Sequence, residues 1–392
     1  MNYQFADRVR YFDASAVREI LKVVNKGNVI SLAGGLPDEA LFPVEAVDQA
    51  FSKAINSGNK ALQYAETEGL FKLRQQLAER MHSKGMHAQP DNMLITSGSQ
   101  QAIDLFSRIM FNPGDVVLTE DPTYLAAIQV FQSYEVDIVP VKSDRQGMVE
   151  EDLEEKLEQH QPKCVYVVPT FSNPDGKVWS KERREMLIAL AKKYQVVIFE
   201  DDPYGEIQFE PDQVPNSIQS LDHDGEYVVY TSTISKTVVP AMRLGWITGP
   251  KEVIQLVTQA KQAADLHTNS ISQHALSHLL NDYDLDQHIK RITTVYYERM
   301  NVMKDCLNDL DLEGLVYEIP KGGMFFWLTL PDSIDPAALL EKAVDNGVAF
   351  VPGKPFYVEA NQTSTMRLNF TNATIDEIKE GMNRLVKTFN EI

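Results

Sequence analysis

The sequence predicts an α/β fold: a large domain with a mainly parallel seven-stranded sheet flanked by helices, and a smaller α+β domain beside it. Three observations predict this. Short runs rich in β-branched residues recur between about residues 90 and 250, most of them are separated by segments of helical period, and polar motifs follow the apolar runs. In a parallel sheet that last pattern collects polar groups at the carboxyl ends of the strands, where ligands bind.

In chain order, the strand candidates are Met93 to Thr96, Val116 to Thr119, Val136 to Val139, Cys164 to Val168, Val196 to Phe199, Tyr227 to Tyr230 and Gly245 to Thr248. Between them, Gln100 to Met110, Glu151 to His160 and Lys181 to Tyr194 read as helices. After Gly249 helical patterns dominate, with a long candidate from about Asp286 to Leu310. Strand-like runs then follow at Gly322 to Leu328 and Met366 to Phe370. These boundaries give a large domain at 40–285 and a smaller one formed by 1–39 and 286–392. For 392 residues with 43% hydrophobic content, one large domain and one companion is the natural division.

Charge and cysteine content narrow the function classes. Acidic residues outnumber basic ones, 56 against 37, for a formal charge of −19. No basic run is long enough to track a phosphate backbone, so nucleic acid is not an expected partner. Only two cysteines occur, and Cys164 sits inside an apolar run, which argues against a disulfide framework and fits a cytoplasmic setting. The first residues lack a signal pattern, and no stretch approaches the ~20 apolar residues that span a bilayer. Neither a membrane nor a metal is expected.

The most informative residue is Lys236, at the end of Tyr230-Thr231-Ser232-Thr233-Ile234-Ser235-Lys236, with Arg243 seven residues later. An amine on a loop after a strand, among hydroxyls and ahead of a guanidinium, suits an aldehyde cofactor that carries a phosphate. Four more motifs follow apolar runs: Ser97-Gly98-Ser99-Gln100, Asp121-Pro122-Thr123-Tyr124, Ser172-Asn173-Pro174-Asp175-Gly176 and Asp201-Asp202-Pro203-Tyr204. Read alone, each has an ordinary explanation as a solvated loop, turn or helix cap.

Together, in this order and at these spacings, the motifs resemble the fold-type I pyridoxal-phosphate (PLP) aminotransferases of the class I/II group. The resemblance runs from about Gly34 to Arg367 and is strongest to the branch of 2-aminoadipate, kynurenine and multi-substrate aminotransferases. It implies that Lys236 is the Schiff-base lysine and proton carrier. Asp201 would then face the pyridine nitrogen, three residues before Tyr204, whose hydroxyl meets the ring's phenolic oxygen; Asp202 is the alternative to Asp201. Asn173 would donate to the same oxygen and help to hold the substrate carboxylate. Ser99, Gln100, Thr233, Ser235 and Arg243 would surround the phosphate, and Tyr124 would stack on the ring. Tyr64 would reach the phosphate of a neighbouring subunit, making the active sites of a homodimer shared. Arg367 would clamp the substrate α-carboxylate as a planar fork, with Gly34 and Gly35 closing over it. One departure is Ala241, where many members have glycine.

The expected reaction is a ping-pong exchange of an amino group between an L-amino acid and a 2-oxo acid, with 2-oxoglutarate as the expected acceptor. 2-Aminoadipate, aromatic and branched-chain amino acids are the candidate donors. Arg18, on a helix-like segment near the entrance, either pairs with a distal substrate carboxylate or lies on a solvated face. Two other readings share these residues: a PLP-dependent C–S β-lyase on the same fold, and a non-catalytic ligand-binding body of a regulator. The second normally follows a basic DNA-binding head, for which the acidic charge and the early Gly34-Gly35 leave no place.

Overall fold

The computed structural model describes residues 1–12, 20, 22, 29–310, 312–359 and 364–391. Its main sheet has seven strands, β1 (Met93–Thr96), β2 (Val116–Glu120), β3 (Asp137–Val141), β4 (Cys164–Val167), β5 (Val197–Asp201), β6 (Val228–Thr233) and β7 (Gly245–Thr248). Their spatial order is β1-β7-β6-β5-β4-β2-β3. Strand β7 runs antiparallel to both of its neighbours, and the remaining pairs are parallel. Strands β1, β4 and β6 are buried along their whole length, which is why the sequence shows continuous apolar runs here rather than alternation. On the antiparallel strand, Trp246 and Ile247 point into different cores, one on each side of the sheet.

A second sheet of four strands, in the order Val316–Tyr317, Phe325–Thr329, Thr365–Asn369 and Val351–Pro352, is antiparallel throughout. Its core takes in Leu32 from the N-terminal part of the chain, together with Phe171, Tyr204 and Ile207 from loops of the main sheet. Beside this sheet, Ile30–Ser31 pairs in parallel with Val348–Ala349, tying the early chain to the late chain.

Helices α1 (Phe71–His82), α2 (Ser99–Met110) and α3 (Leu285–Asn308) contribute cavity walls, together with the helices Leu125–Ser133 and Ser270–Asp282. Helix α2 starts directly after β1, and Gly98 is its cap, with φ of 85°. Ser99, for which an ordinary cap is one reading of the sequence, is instead the first helical residue. Among the described residues, no helix is long and apolar enough to cross a membrane. No group of three or more His, Cys, Asp or Glu residues there could hold a metal ion.

Candidate active site

The carboxyl ends of the strands meet the second sheet around a cavity of about 900 Å³. Twelve residues singled out in the sequence line it: Gly35, Ser99, Gln100, Tyr124, Asn173, Asp201, Tyr204, Thr233, Ser235, Lys236, Arg243 and Arg367. They come from separate stretches of chain, and the shared rim of the sheet is what unites them.

At one end is Lys236, whose Nζ donates to the carbonyl of Gly35 at 2.7 Å. Burial, with Arg367 and Arg243 nearby, pulls its amine down to about 8. A lysine in this state is neutral often enough near neutral pH to take up a proton.

Asp201 closes β5 and is 2% exposed. Its Oδ2 accepts from the Tyr166 hydroxyl at 2.8 Å, while Oδ1 is buried without a hydrogen-bond partner among the described residues. Desolvation raises its carboxyl to about 7. A buried carboxylate oxygen with no donor is costly. A ring N–H delivered to Oδ1 would remove that cost, and this is what a protonated pyridine offers.

Asn173 and Tyr204 form a pair, with the Asn173 amide donating to the Tyr204 hydroxyl at 3.4 Å. The Asn173 Oδ1 also accepts from Arg367. Arg367 is 2% exposed; one Nη donates to the Ala33 carbonyl at 2.9 Å, and Nε is buried without a partner among the described residues. Phe325 and Phe356 lie against its guanidinium at 4.2 and 5.0 Å. Desolvation lowers the group to about 10, so it stays charged near neutrality. Held between rings, it presents a fixed fork toward a carboxylate.

The phosphate end is built at the start of α2. Arg243 is in the left-handed region at φ of 52°, and its Nη2 donates to the Ser97 carbonyl at 3.0 Å. A Cβ on Gly98 would come within 2.7 Å of that guanidinium, so glycine is what admits it. The amides of the first turn of α2 and the linked hydroxyls of Thr233 and Ser235, 2.9 Å apart, complete an anion cradle. The Tyr124 hydroxyl donates to Gln100 Oε1 at 3.3 Å, tying the stacking candidate to the same turn. Ala241, where many members of the resembled group have glycine, lies in the short helix Pro240–Met242 and needs no left-handed backbone, so its side chain is accommodated.

Lys236, Arg243 and Arg367 have no carboxylate within ion-pair distance among the described residues, and the carboxylate among those twelve residues is Asp201. The site therefore suits a ligand with two separate anionic groups and one cationic ring N–H. A phosphorylated pyridine aldehyde together with an amino acid has this distribution of charge.

Two other residues from the sequence reading are not among those twelve. Tyr64 is 79% exposed, stands outside this cavity and sets an edge-on contact with His267 at 5.9 Å. Arg18 lies outside the described residues. Sequence reasoning also missed Tyr166, Phe325, Phe356 and the cavity-lining Lys22.

The family model for aminotransferases of class I and II matches residues 27–385. The chain is 41% identical to aromatic-amino-acid aminotransferase 1 of Thermococcus litoralis, over 99% of this chain and 94% of that protein. It is 35% identical to the 2-aminoadipate transaminase of Thermus thermophilus, over 95% and 93%. Among solved structures, the kynurenine aminotransferase of Pyrococcus horikoshii superposes with a TM-score of 0.93 at 41% identity, covering 99% of this chain and 97% of that one.

Proposed function

This chain belongs to the class I and II aminotransferase family and is a PLP-dependent transaminase acting on amino acid and 2-oxo acid substrates; from that premise we propose how its residues divide the work. When bound, PLP supplies an aldehyde and an electron-withdrawing ring that acidifies the substrate Cα–H.

Lys236 would hold the aldehyde carbon and, once displaced by the substrate amine, would carry the proton to and from Cα. Its amine at about 8 can both accept and return that proton. Asp201 Oδ1 would receive the ring N–H and keep the nitrogen protonated, with Tyr166 fixing the carboxylate. Asn173 and Tyr204 would hold the phenolic oxygen, and Tyr124 would cover the ring face. Arg243, Thr233, Ser235 and the first turn of α2 would hold the phosphate. Arg367, oriented by Asn173 and the Ala33 carbonyl, would fix the substrate carboxylate beside Gly35, so that the Cα–H bond faces Lys236. The observation that carries this reading is Asp201 Oδ1, buried without a donor among the described residues in a cavity where Lys236, Arg243 and Arg367 have no carboxylate partner among those residues.

The relatives named for aromatic amino acids, 2-aminoadipate and kynurenine make these the first donors to try, with 2-oxoglutarate as acceptor. We also take 40–285 as the large domain and 1–39 with 286–392 as the small one. Tyr64 stands outside its own cavity, and we assign it to the phosphate of a partner subunit in a homodimer working in the cytoplasm.

The test is the visible absorption of purified protein before and after a panel of amino acids is added without any oxo acid. The expected result is a yellow protein whose band is lost to the pyridoxamine form with the true donors, and no such band in Lys236→Ala. A wild-type protein that stays colourless after incubation with PLP would overturn the assignment. Release of ammonia and pyruvate without an acceptor would move the chain to the β-lyase alternative.

A further inference from the structure

A second cavity, also of about 900 Å³, lies behind the first. The two share Pro203 and Thr233 in their walls, so the Asp201–Glu206 turn and the start of the Lys236 loop form a partition between them. The other walls come from α1 and the stretch 83–86 after it, the stretch 208–217, Leu280, the first turns of α3 and strand β7. Transamination uses none of its remaining residues.

Five of the six charged groups that line this cavity already have partners. Arg80 binds Glu206 at 2.9 Å and Asp286 at 2.8 Å, and Lys84 also binds Glu206. Asp202 accepts from the Tyr230 hydroxyl at 3.0 Å and the Gly205 amide at 2.8 Å. With Lys290 on the exposed lip, the lining holds three cations (Arg80, Lys84, Lys290) and three acids (Asp202, Glu206, Asp286). Apart from Lys290 on the lip, which has no ion pair among the described residues, a charged ligand would find no free counter-charge here.

Two neutral polar groups, by contrast, lack partners. Trp246, 8% exposed, has its indole Nε1 buried with no hydrogen-bond partner among the described residues, and Thr293 Oγ1 is in the same condition. Both residues belong to the wall of this cavity, with the side chains of Leu77, Met81, Ile234, Leu285 and Ile289 around them. Leaving a buried donor unpaired is costly, and an acceptor brought to it recovers much of that cost. An apolar concavity with a few convergent polar groups is the usual form of a small-molecule site.

We propose that this cavity is a second small-molecule site, which takes an uncharged, largely apolar compound carrying a hydrogen-bond acceptor for Trp246 and Thr293. The compound sits against the rear of the turn that holds Asp201 and Tyr204, apart from the transamination site.

Acetophenone, an uncharged aromatic ketone, is a suitable test ligand. The chain has three tryptophans, so holoenzyme labelled with 5-fluorotryptophan gives three fluorine resonances, assigned by single Trp→Phe variants. The expected result is a saturable shift of the Trp246 resonance alone, with a dissociation constant on the order of 1 mM for so small a molecule. Thr293→Val should weaken binding by about threefold or more, as expected for one lost hydrogen bond. Three results would overturn the proposal: no saturation of the Trp246 shift at tens of millimolar, unchanged affinity in Thr293→Val, or a shift of Trp327 instead. Trp327 packs on Phe356 at the transamination cavity, so its movement would mean that the ketone had entered that site.

Discussion

Two cavities of about 900 Å³ share the Asp201–Glu206 turn, yet their charges are arranged in opposite ways. In one, Lys236, Arg243 and Arg367 lack carboxylate partners among the described residues, and Asp201 keeps an oxygen without a donor there. In the other, Arg80 is paired with Glu206 and Asp286 and Lys84 with Glu206, and, apart from Lys290 on the exposed lip, the groups left without partners among the described residues are neutral. A folded chain tolerates buried uncompensated charge poorly. Its presence in the first cavity therefore marks where a ligand's charge belongs, and its absence from the second marks a site that does not need one. The two volumes alone would not have told them apart.

The largest effect that could break this comparison is at Arg367. If its guanidinium is uncompensated because a substrate carboxylate completes it, Arg367→Met should lower kcat/KM for amino acids by roughly 100-fold, equivalent to losing about 3 kcal/mol of charge-assisted hydrogen bonding. Arg367→Lys keeps the charge without the fork and should recover little of the loss. Steady-state kinetics with the best donor decides it. Activity within threefold of wild type in the Met variant would mean that Arg367 only braces Phe325 and Phe356.

Next in size is Asp201, for which stability gives a readout independent of turnover. Burial raises its carboxyl to about 7 from an ordinary value of 3.8. The folded chain therefore binds a proton there that the unfolded chain has released. Stability from this group is complete below about pH 4 and is lost as pH rises through 7, by up to ~4 kcal/mol. In protein stripped of cofactor, Asp201→Asn should be more stable than wild type at pH 8, with the gap closing toward pH 4. Urea unfolding at the two pH values measures it. Equal pH dependence in the two proteins would show that Asp201 is ionised and satisfied in the fold, removing the argument from its unpaired oxygen. Tyr166→Phe is the smaller companion change. Loss of one hydrogen bond to the carboxylate should reduce kcat by about tenfold and shift the pH profile of the bound cofactor's absorbance. A merely structural Tyr166 would change stability and leave that profile in place.

How far the sequence could lead depended on where partners lie along the chain. All seven strands were legible within a few residues, because a doubly covered parallel sheet writes itself as short apolar runs. Twelve cavity residues were legible because the rim places most of them just after a strand. Tyr166 was not: it sits inside the apolar run ending at Val168 and reads as core. Its role follows from register, since Tyr166 pairs with Phe199 and so shares a face with Asp201, two residues farther along β5. Phe356 escaped for a similar reason, since nothing local to Gly353–Tyr357 announces that its ring covers an arginine on another strand. The doubt over Ala241 came from comparing residue types, and the helical backbone there resolved it. The second cavity had no motif at all, because its walls gather from α1, a turn, β7 and α3 with no fixed spacing.

The finest test converts one cavity toward the character of the other. Glu206 is the acid shared by Arg80 and Lys84, so Glu206→Gln keeps its shape while leaving Lys84 with no ion-pair partner and Arg80 with Asp286 alone. If partnered charge is what makes the second cavity indifferent to anions, the variant should acquire a weak anion site. In the holoenzyme, inorganic phosphate at about ten times its dissociation constant would then stabilise the variant by about 1.4 kcal/mol more than wild type. Phosphate also stabilises proteins by exclusion from their surfaces, but that part is common to both and cancels in the difference. The measurement is the melting temperature of each protein against phosphate concentration, with a saturating curve expected only for the variant. Parallel responses would mean that geometry, not charge pairing, separates the two cavities, and the electrostatic contrast between them would lose its explanatory force.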